Sequence, residues 1–284
     1  MTETSGPIGG VPCEPGVSNA APLAEDPRSL LPFVAPCRAL QAGAPLRWVA
    51  LGWADFRRAP GPSLAYGIAI VLLSWLVTGV GLKFGTYWSA LILLSGFVFI
   101  APLLALGLYS ISRQLGEGRP PSIARSIDSM TKSLGTAMVF ALALMVLFLI
   151  WARSASMVHV FFPMNENPSL AQMATFLGIG TAVGAVFCAL TFLFSAFSLP
   201  MICDRDADAV TAIVTSVNAV LRNKPAMAVW ALLIVALTAL GFATALLGFA
   251  TALLGLAVII PVLGYATWHA YEETIDASAW PAQV

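Results

Sequence analysis

Residues 226–270 read AMAVWALLIVALTALGFATALLGFATALLGLAVIIPVLGYATWHA, forty-five positions without Asp, Glu, Lys or Arg. At 1.5 Å rise per residue a single helix of that length would extend roughly 68 Å, about twice the hydrocarbon thickness of a bilayer. The stretch must therefore fold back on itself, and a reversal near Gly248 divides it into two spans of adequate length. Working outward, four more charge-free runs are long enough to cross: Leu64–Leu82, Trp88–Ile111, Gly135–Ala152 and Ala174–Ile202. The expected fold class is an all-α polytopic membrane protein with about six transmembrane helices. Composition agrees, since 59% of the 284 residues are hydrophobic and 10% charged, with a mean hydropathy of +0.87; soluble domains average about 25% charged residues. The 14 Lys and Arg balance the 14 Asp and Glu, so no basic surplus points to nucleic acid.

Orientation follows from the cations, because cytoplasmic connections carry the excess of Lys and Arg. With six spans and an inside amino terminus, the inside segments hold Arg28, Arg38, Arg47, Arg57 and Arg58, then Arg113, Arg119, Arg125 and Lys132, then Arg205, Arg222 and Lys224. Only Lys83 and Arg153 fall outside. Both termini are thus expected in the cytoplasm. Met1 to Gly10 lacks the basic and apolar regions of a signal peptide. Residues 1–45, with prolines at 7, 12, 15, 22, 27, 32, 36 and 45, read as a disordered cytoplasmic tail, 46–273 as the six-helix domain and 274–284 as a short cytoplasmic tail. Within the first tail, the patch Leu30-Leu-Pro-Phe-Val34 could dock on a partner or the lipid interface.

Three inside segments carry amphipathic stripes: Trp48, Val49, Gly52, Trp53 and Phe56, with Arg47, Asp55 and Arg58 placed off that face; Ile123, Ile127, Met130 and Leu134; and Val210, Ile213, Val214, Val217 and Leu221. Each precedes a pair of spans whose second member has a proline near its cytoplasmic end, Pro102, Pro200 or Pro261. The chain reads as three repeats of an interfacial helix plus a transmembrane hairpin. Pro60 and Pro225 each follow a stripe, where a helix must kink or end; the middle unit lacks that proline. Gly180 and Gly184 form a G-x-x-x-G, and Gly241, Gly248 and Gly255 recur at seven-residue spacing in the tandem GFATALL, so these five are candidates for close helix packing.

The segments Ala54-Asp-Phe-Arg-Arg-Ala-Pro60, Leu106-Gly-Leu-Tyr-Ser-Ile-Ser-Arg113, Ser198-Leu-Pro-Met-Ile-Cys-Asp-Arg-Asp206 with its continuation to Ile213, and Ala266-Thr-Trp-His-Ala-Tyr271 resemble the domain-of-unknown-function family 2189, over about Leu46 to Glu273. The resemblance implies a bacterial inner-membrane protein with no established activity. The chain departs from the family pattern at Ser110, where an acidic residue is expected, at Tyr265, where a histidine is, and at Glu272, where a basic residue is.

The spans hold hydroxyls and one thiol, among them Ser74, Thr78, Ser95, Cys188, Thr191 and Ser195, and no Asp, Glu, Lys or Arg, a pattern that disfavours proton- or ion-coupled transport. Such hydroxyls usually bond their own helix. His159 and His269 fall on opposite sides and cannot share one haem. His269, with Trp268 and Tyr271, reads as part of an interfacial aromatic belt. Asp204-Arg-Asp-Ala-Asp208 fails as a calcium loop, having Ala209 and Thr215 where Gly and Glu are needed; Asp206 or Asp208 is expected to cap the third amphipathic helix. No metal, cofactor or catalytic pair is expected. The reading is a non-catalytic membrane protein, an accessory or structural subunit beside a larger complex or homo-oligomer or an organiser of the bilayer; the alternative is a channel or facilitator for a neutral or lipid-like solute. Trp48, Trp53, Phe56, Arg57 and Arg58 are candidate contacts with the membrane interface or a partner. Replacing Arg57→Glu with Arg58→Glu should disturb membrane seating, measured by cysteine accessibility and protein abundance; an unchanged pattern would count against that role.

Overall fold

Prolines and small polar caps set the helix boundaries. A computed structural model describes residues 2, 32–84, 104–161, 169–243 and 254–283, and the structural statements below concern those residues. Helix α1 (Ala44–Arg58) ends at Ala59, and α2 (Pro60–Phe84) starts at the proline, whose ring cannot continue the preceding helix. The two meet at a bend of 105°. In the same way α7 (Ala209–Arg222) ends at Asn223 and α8 (Lys224–Ala243) carries Pro225 in its first turn. The middle unit has no such proline, and α4 (Ile123–Phe161) accordingly runs unbroken for 39 residues. Between them lie α3 (104–116), α5 (Leu170–Ser195) and the short α6 (Ser198–Asp204). Pro200 would clash with the carbonyl four residues back, at Ala196, and that residue ends α5. The last helix, α9 (Leu254–Thr274), contains Pro261 without a break.

The described residues form helices and two isolated bridges, and no strand. Three helical stretches are long and apolar enough to cross a membrane, Ile123–Val158, Leu170–Asp204 and Lys224–Gly241, or four if the bent pair Ala44–Arg58 and Pro60–Leu76 is one span. The six-span, three-repeat architecture is not confirmed. Residues 88–103 of its second span, and the reversal at Gly248, lie outside the described residues. The charge-free stretch does fold back, since α8 packs along α9: a Cβ on Gly241 would stand 2.6 Å from the Leu256 side chain.

Helix α9 is the centre of the packing, lying against α1, α2 and α8. Two glycines permit the closest approaches. A Cβ on Gly52 of α1 would sit 2.5 Å from the Val262 carbonyl oxygen, and one on Gly67 of α2 would sit 2.0 Å from that of Ala257. Phe56, Tyr66, Leu108, Ile111, Val262 and Tyr265 fill the space between these helices and α3. The tyrosine hydroxyls inside this core are paired. Ser63 donates to the Ala59 carbonyl, so Tyr265 donates to Ser63 at 2.7 Å; Ser126 donates to the Gly107 carbonyl, so Tyr66 donates to Ser126 at 2.8 Å. The departure from the family pattern at Tyr265 is thereby absorbed into the core.

The three amphipathic helices differ in how much of the apolar stripe they leave facing outward. On α7 the buried residues are Ala209, Thr211, Ala212, Thr215, Ser216, Ala219 and Val220, while Val210 and Leu221 are exposed. In the first turns of α4, Ser126, Ser129 and Ser133 are buried and Ile123, Ile127 and Leu134 exposed. On α1, Trp48, Gly52 and Phe56 of the stripe are buried, Asp55 joins them, and Trp53 faces out. Asp55 lies seven residues after Trp48, almost two turns, and so on the same face. Asp208 caps α7 as expected, accepting from the backbone of Val210 and Thr211 at 2.9 Å each. Burial pushes its carboxyl up, but these bonds outweigh that and hold it below the usual range.

Residues 32–43 and 275–283 are tied to the helices, which corrects the reading of the first of these stretches as disordered. Ala35 donates its backbone N–H to Thr215, Leu40 donates to Asn223, and Arg38 donates to the Thr274 carbonyl at 2.8 Å. At the other end Trp280 is buried, and Gln283 donates to the Asp204 carbonyl. Of the Leu30–Val34 patch, residues 30 and 31 lie outside the described residues and Phe33 is exposed. Gly67→Ala should lower thermal stability in detergent by about 1–3 kcal/mol through overpacking against Ala257, whereas Gly180→Ala, with open space around the new methyl, should leave it unchanged or raise it.

Candidate functional site: an apolar crevice above a polar base

Helices α3, α4, α5, α8 and α9 leave between them a partly open crevice of about 720 Å³. Six aromatic side chains line it: Tyr109, Phe148, Trp151, Phe187, Phe192 and Trp230. The remaining wall is aliphatic apart from Cys188, Thr191, Ser195 and Thr267. Two of those hydroxyls are committed to their own helices, Ser195 to the Thr191 carbonyl at 2.6 Å and Thr267 to that of Leu263 at 2.8 Å. A hydroxyl so engaged offers lone pairs to the crevice and no proton. Ser74 does the same on α2, donating to Ile70.

The G-x-x-x-G of α5 does not pack helices here. A Cβ on Gly180 or Gly184 would meet nothing within 4 Å, and Gly184 lines the crevice, so its missing side chain enlarges the cavity. Gly241 does mediate a helix contact, Gly255 is half-buried, and Gly248 lies outside the described residues.

Two aromatic stacks run from the crevice wall into a polar base. Tyr109 stacks on Trp268 (ring centroids 6.4 Å apart) and Trp268 packs on Tyr271 at 5.6 Å. Tyr271 in turn donates its hydroxyl to Asp204, which also accepts from Arg205. Trp230 meets the edge of Trp48 at 5.7 Å; the Trp48 indole donates to Glu273 at 2.8 Å, and the other Glu273 oxygen pairs with Arg47. Burial raises the Glu273 carboxyl, but the Arg47 and Trp48 hydrogen bonds prevail and hold it below its usual value. Trp48, Phe56, Trp268 and Tyr271 are buried rather than spread at an interface, which corrects their reading as membrane or partner contacts. Trp53 is 44% exposed and stacks on Phe56, with Arg57 and Arg58 exposed beside it.

His269 is likewise no member of a belt. Its Nε2 lies 2.7 Å from an Asp55 carboxylate oxygen that also accepts the Ser112 hydroxyl at 2.6 Å, and its Nδ1 faces Glu272 at 3.6 Å. Asp55 is 4% exposed. The carboxylate therefore ties α1, α3 and α9 together. This order, Ser112 to Asp55 to His269, differs from a hydrolytic triad, where the histidine stands between the other two. Among the described residues no group of three or more His, Cys, Asp or Glu could hold a metal ion. The His159 side chain lies outside the described residues. Asp55→Ala should cost about 3 kcal/mol or more by leaving His269 and Ser112 without their acceptor. His269→Ala added to it should then cost far less than His269→Ala alone, a non-additivity read from thermal unfolding of the four proteins.

No curated protein and no solved structure matches the chain. Residues 90–204, a shorter stretch than Leu46 to Glu273, match the model of the family described as predicted integral membrane protein, domain of unknown function 2189, the same family that the separated motifs resemble.

Proposed function

We propose that this integral membrane protein is non-catalytic, sits in the bacterial inner membrane with both termini in the cytoplasm, and holds an apolar, lipid-like molecule in the crevice. The observation that carries this reading is the crevice wall: about 720 Å³ of space with no charged residue around it and with Ser195 and Thr267 turned to their own backbones. That volume is within the range of small-molecule sites, and the lining gives water little to bond. Lipid tails are as apolar as the wall, so selection rests on packing and aromatic contact rather than on escape from water. A hydrophilic solute path would need hydroxyls free to donate along it, and those two are not.

A second reading, an accessory subunit beside a larger membrane complex or a second copy, is favoured by α5, none of whose 26 residues is buried. One experiment separates the two. Protein extracted in mild detergent is resolved on a native gel, and its companions are identified by mass spectrometry. An apolar molecule at about one per chain, lost in Gly184→Phe, is the expected result. A stoichiometric protein partner with no retained small molecule would favour the accessory role, and a lone, empty chain would sink both.

A further inference from the structure

We infer that α1 and α7 are paired membrane feet, and that the two cations at the end of each grip the headgroups of an anionic leaflet. The inference is separate from the crevice and does not depend on what fills it.

Three observations converge on it. First, both helices keep a face with large apolar side chains turned away from the protein. Leu46, Leu51 and Trp53 of α1 are 61%, 39% and 44% exposed, and Val210 and Leu221 of α7 are 55% and 51% exposed; inward, α7 buries mostly small or hydroxyl residues, and α1 buries Gly52 and Asp55 together with Trp48 and Phe56. An outward apolar stripe on a helix fixed along its other face is the arrangement of a segment lying in the interface, with its apolar side in the acyl boundary. Second, α1 meets α2 at 105°, so when α2 crosses the bilayer α1 runs close to the membrane plane. Third, the cations gather where each foot meets the following helix: Arg57 and Arg58 just before Pro60, Arg222 and Lys224 just before Pro225, all four exposed.

The nearby acids do not cancel this charge. Asp55 is buried against Ser112 and His269, with Arg58 at 4.0 Å, and Asp208 stands at the opposite end of α7, engaged in its cap. Each junction thus presents two cations beside exposed apolar groups, a pattern that fits phosphate above and acyl chain below. A polar protein surface would leave the apolar stripe unmatched, and a zwitterionic leaflet would leave the cations without a net partner.

The test uses the full chain in nanodiscs of mixed phosphatidylglycerol and phosphatidylcholine. Lipids retained on release are counted by native mass spectrometry, for the wild type and for Arg57→Gln/Arg58→Gln and Arg222→Gln/Lys224→Gln. The expected result is an enrichment of phosphatidylglycerol that falls roughly fivefold for each cation removed. Spin labels at Leu51→Cys and Val210→Cys, with all four junction cations intact, should report oxygen contact at the depth of the acyl boundary, a readout independent of whether the glutamine variants fold. Equal retention of the two lipids, enrichment unchanged in both variants, or labels in water or shielded by a protein neighbour would overturn the inference.

Discussion

The crossing of α9 over α1 and α2 fixes the rest of the molecule, and it depends on missing atoms. At Gly52 and Gly67 the absent Cβ lets backbone approach backbone, which brings the polar end of α9 within reach of α1. His269 then meets Asp55, and Glu273 meets Trp48 and Arg47. In a bilayer, where apolar surface gains little by leaving lipid, close contact and hydrogen bonds must supply the cohesion that burial supplies in water. The core follows that rule: Tyr265 to Ser63, Tyr66 to Ser126 and Ser112 to Asp55 draw five helices together through hydroxyls.

The crevice inherits its shape from this base. Its aromatic walls are not free-standing. Trp230 rests on Trp48 and Tyr109 on Trp268, and each stack ends in a charged pair. Rings held from behind by salt links keep a cavity open that unsupported side chains would collapse into, since interiors otherwise pack without voids. Rigid walls also favour a ligand of one shape over the mixed chains of the surrounding lipid.

Much of this architecture was legible in the chain, because lipid demands long apolar helices and proline stops them. Pro60 and Pro225 mark real junctions, the lack of a counterpart gives α4 its unbroken length, and Asp208 caps α7. What the inner faces of the amphipathic helices bury was not legible, because in a membrane an apolar stripe can face lipid and leave the polar side to the core. Serines and threonines that look like solvent-facing residues, such as Ser126, Ser129, Thr211 and Thr215, therefore line the protein interior. The base of the site was hidden for another reason. Asp55 and His269 lie 214 residues apart, and nothing local to either announces the other. The signal that could have found them was an acid on the Trp48 face of α1.

That separation bears on how the protein is made. Among the described helices α1 leaves the ribosome first and its main partner, α9, last. Until α9 arrives, Asp55 has no histidine and Gly52 has no carbonyl to approach, and α1 lacks its main protein partner. The strap at residues 32–43 waits equally, because Thr274 and Asn223 receive it. Non-local contacts of this kind form late and leave earlier segments unsatisfied. If α1 seats on the membrane surface as inferred above, the outward face that the finished protein still shows gives it a stable place to wait for α9.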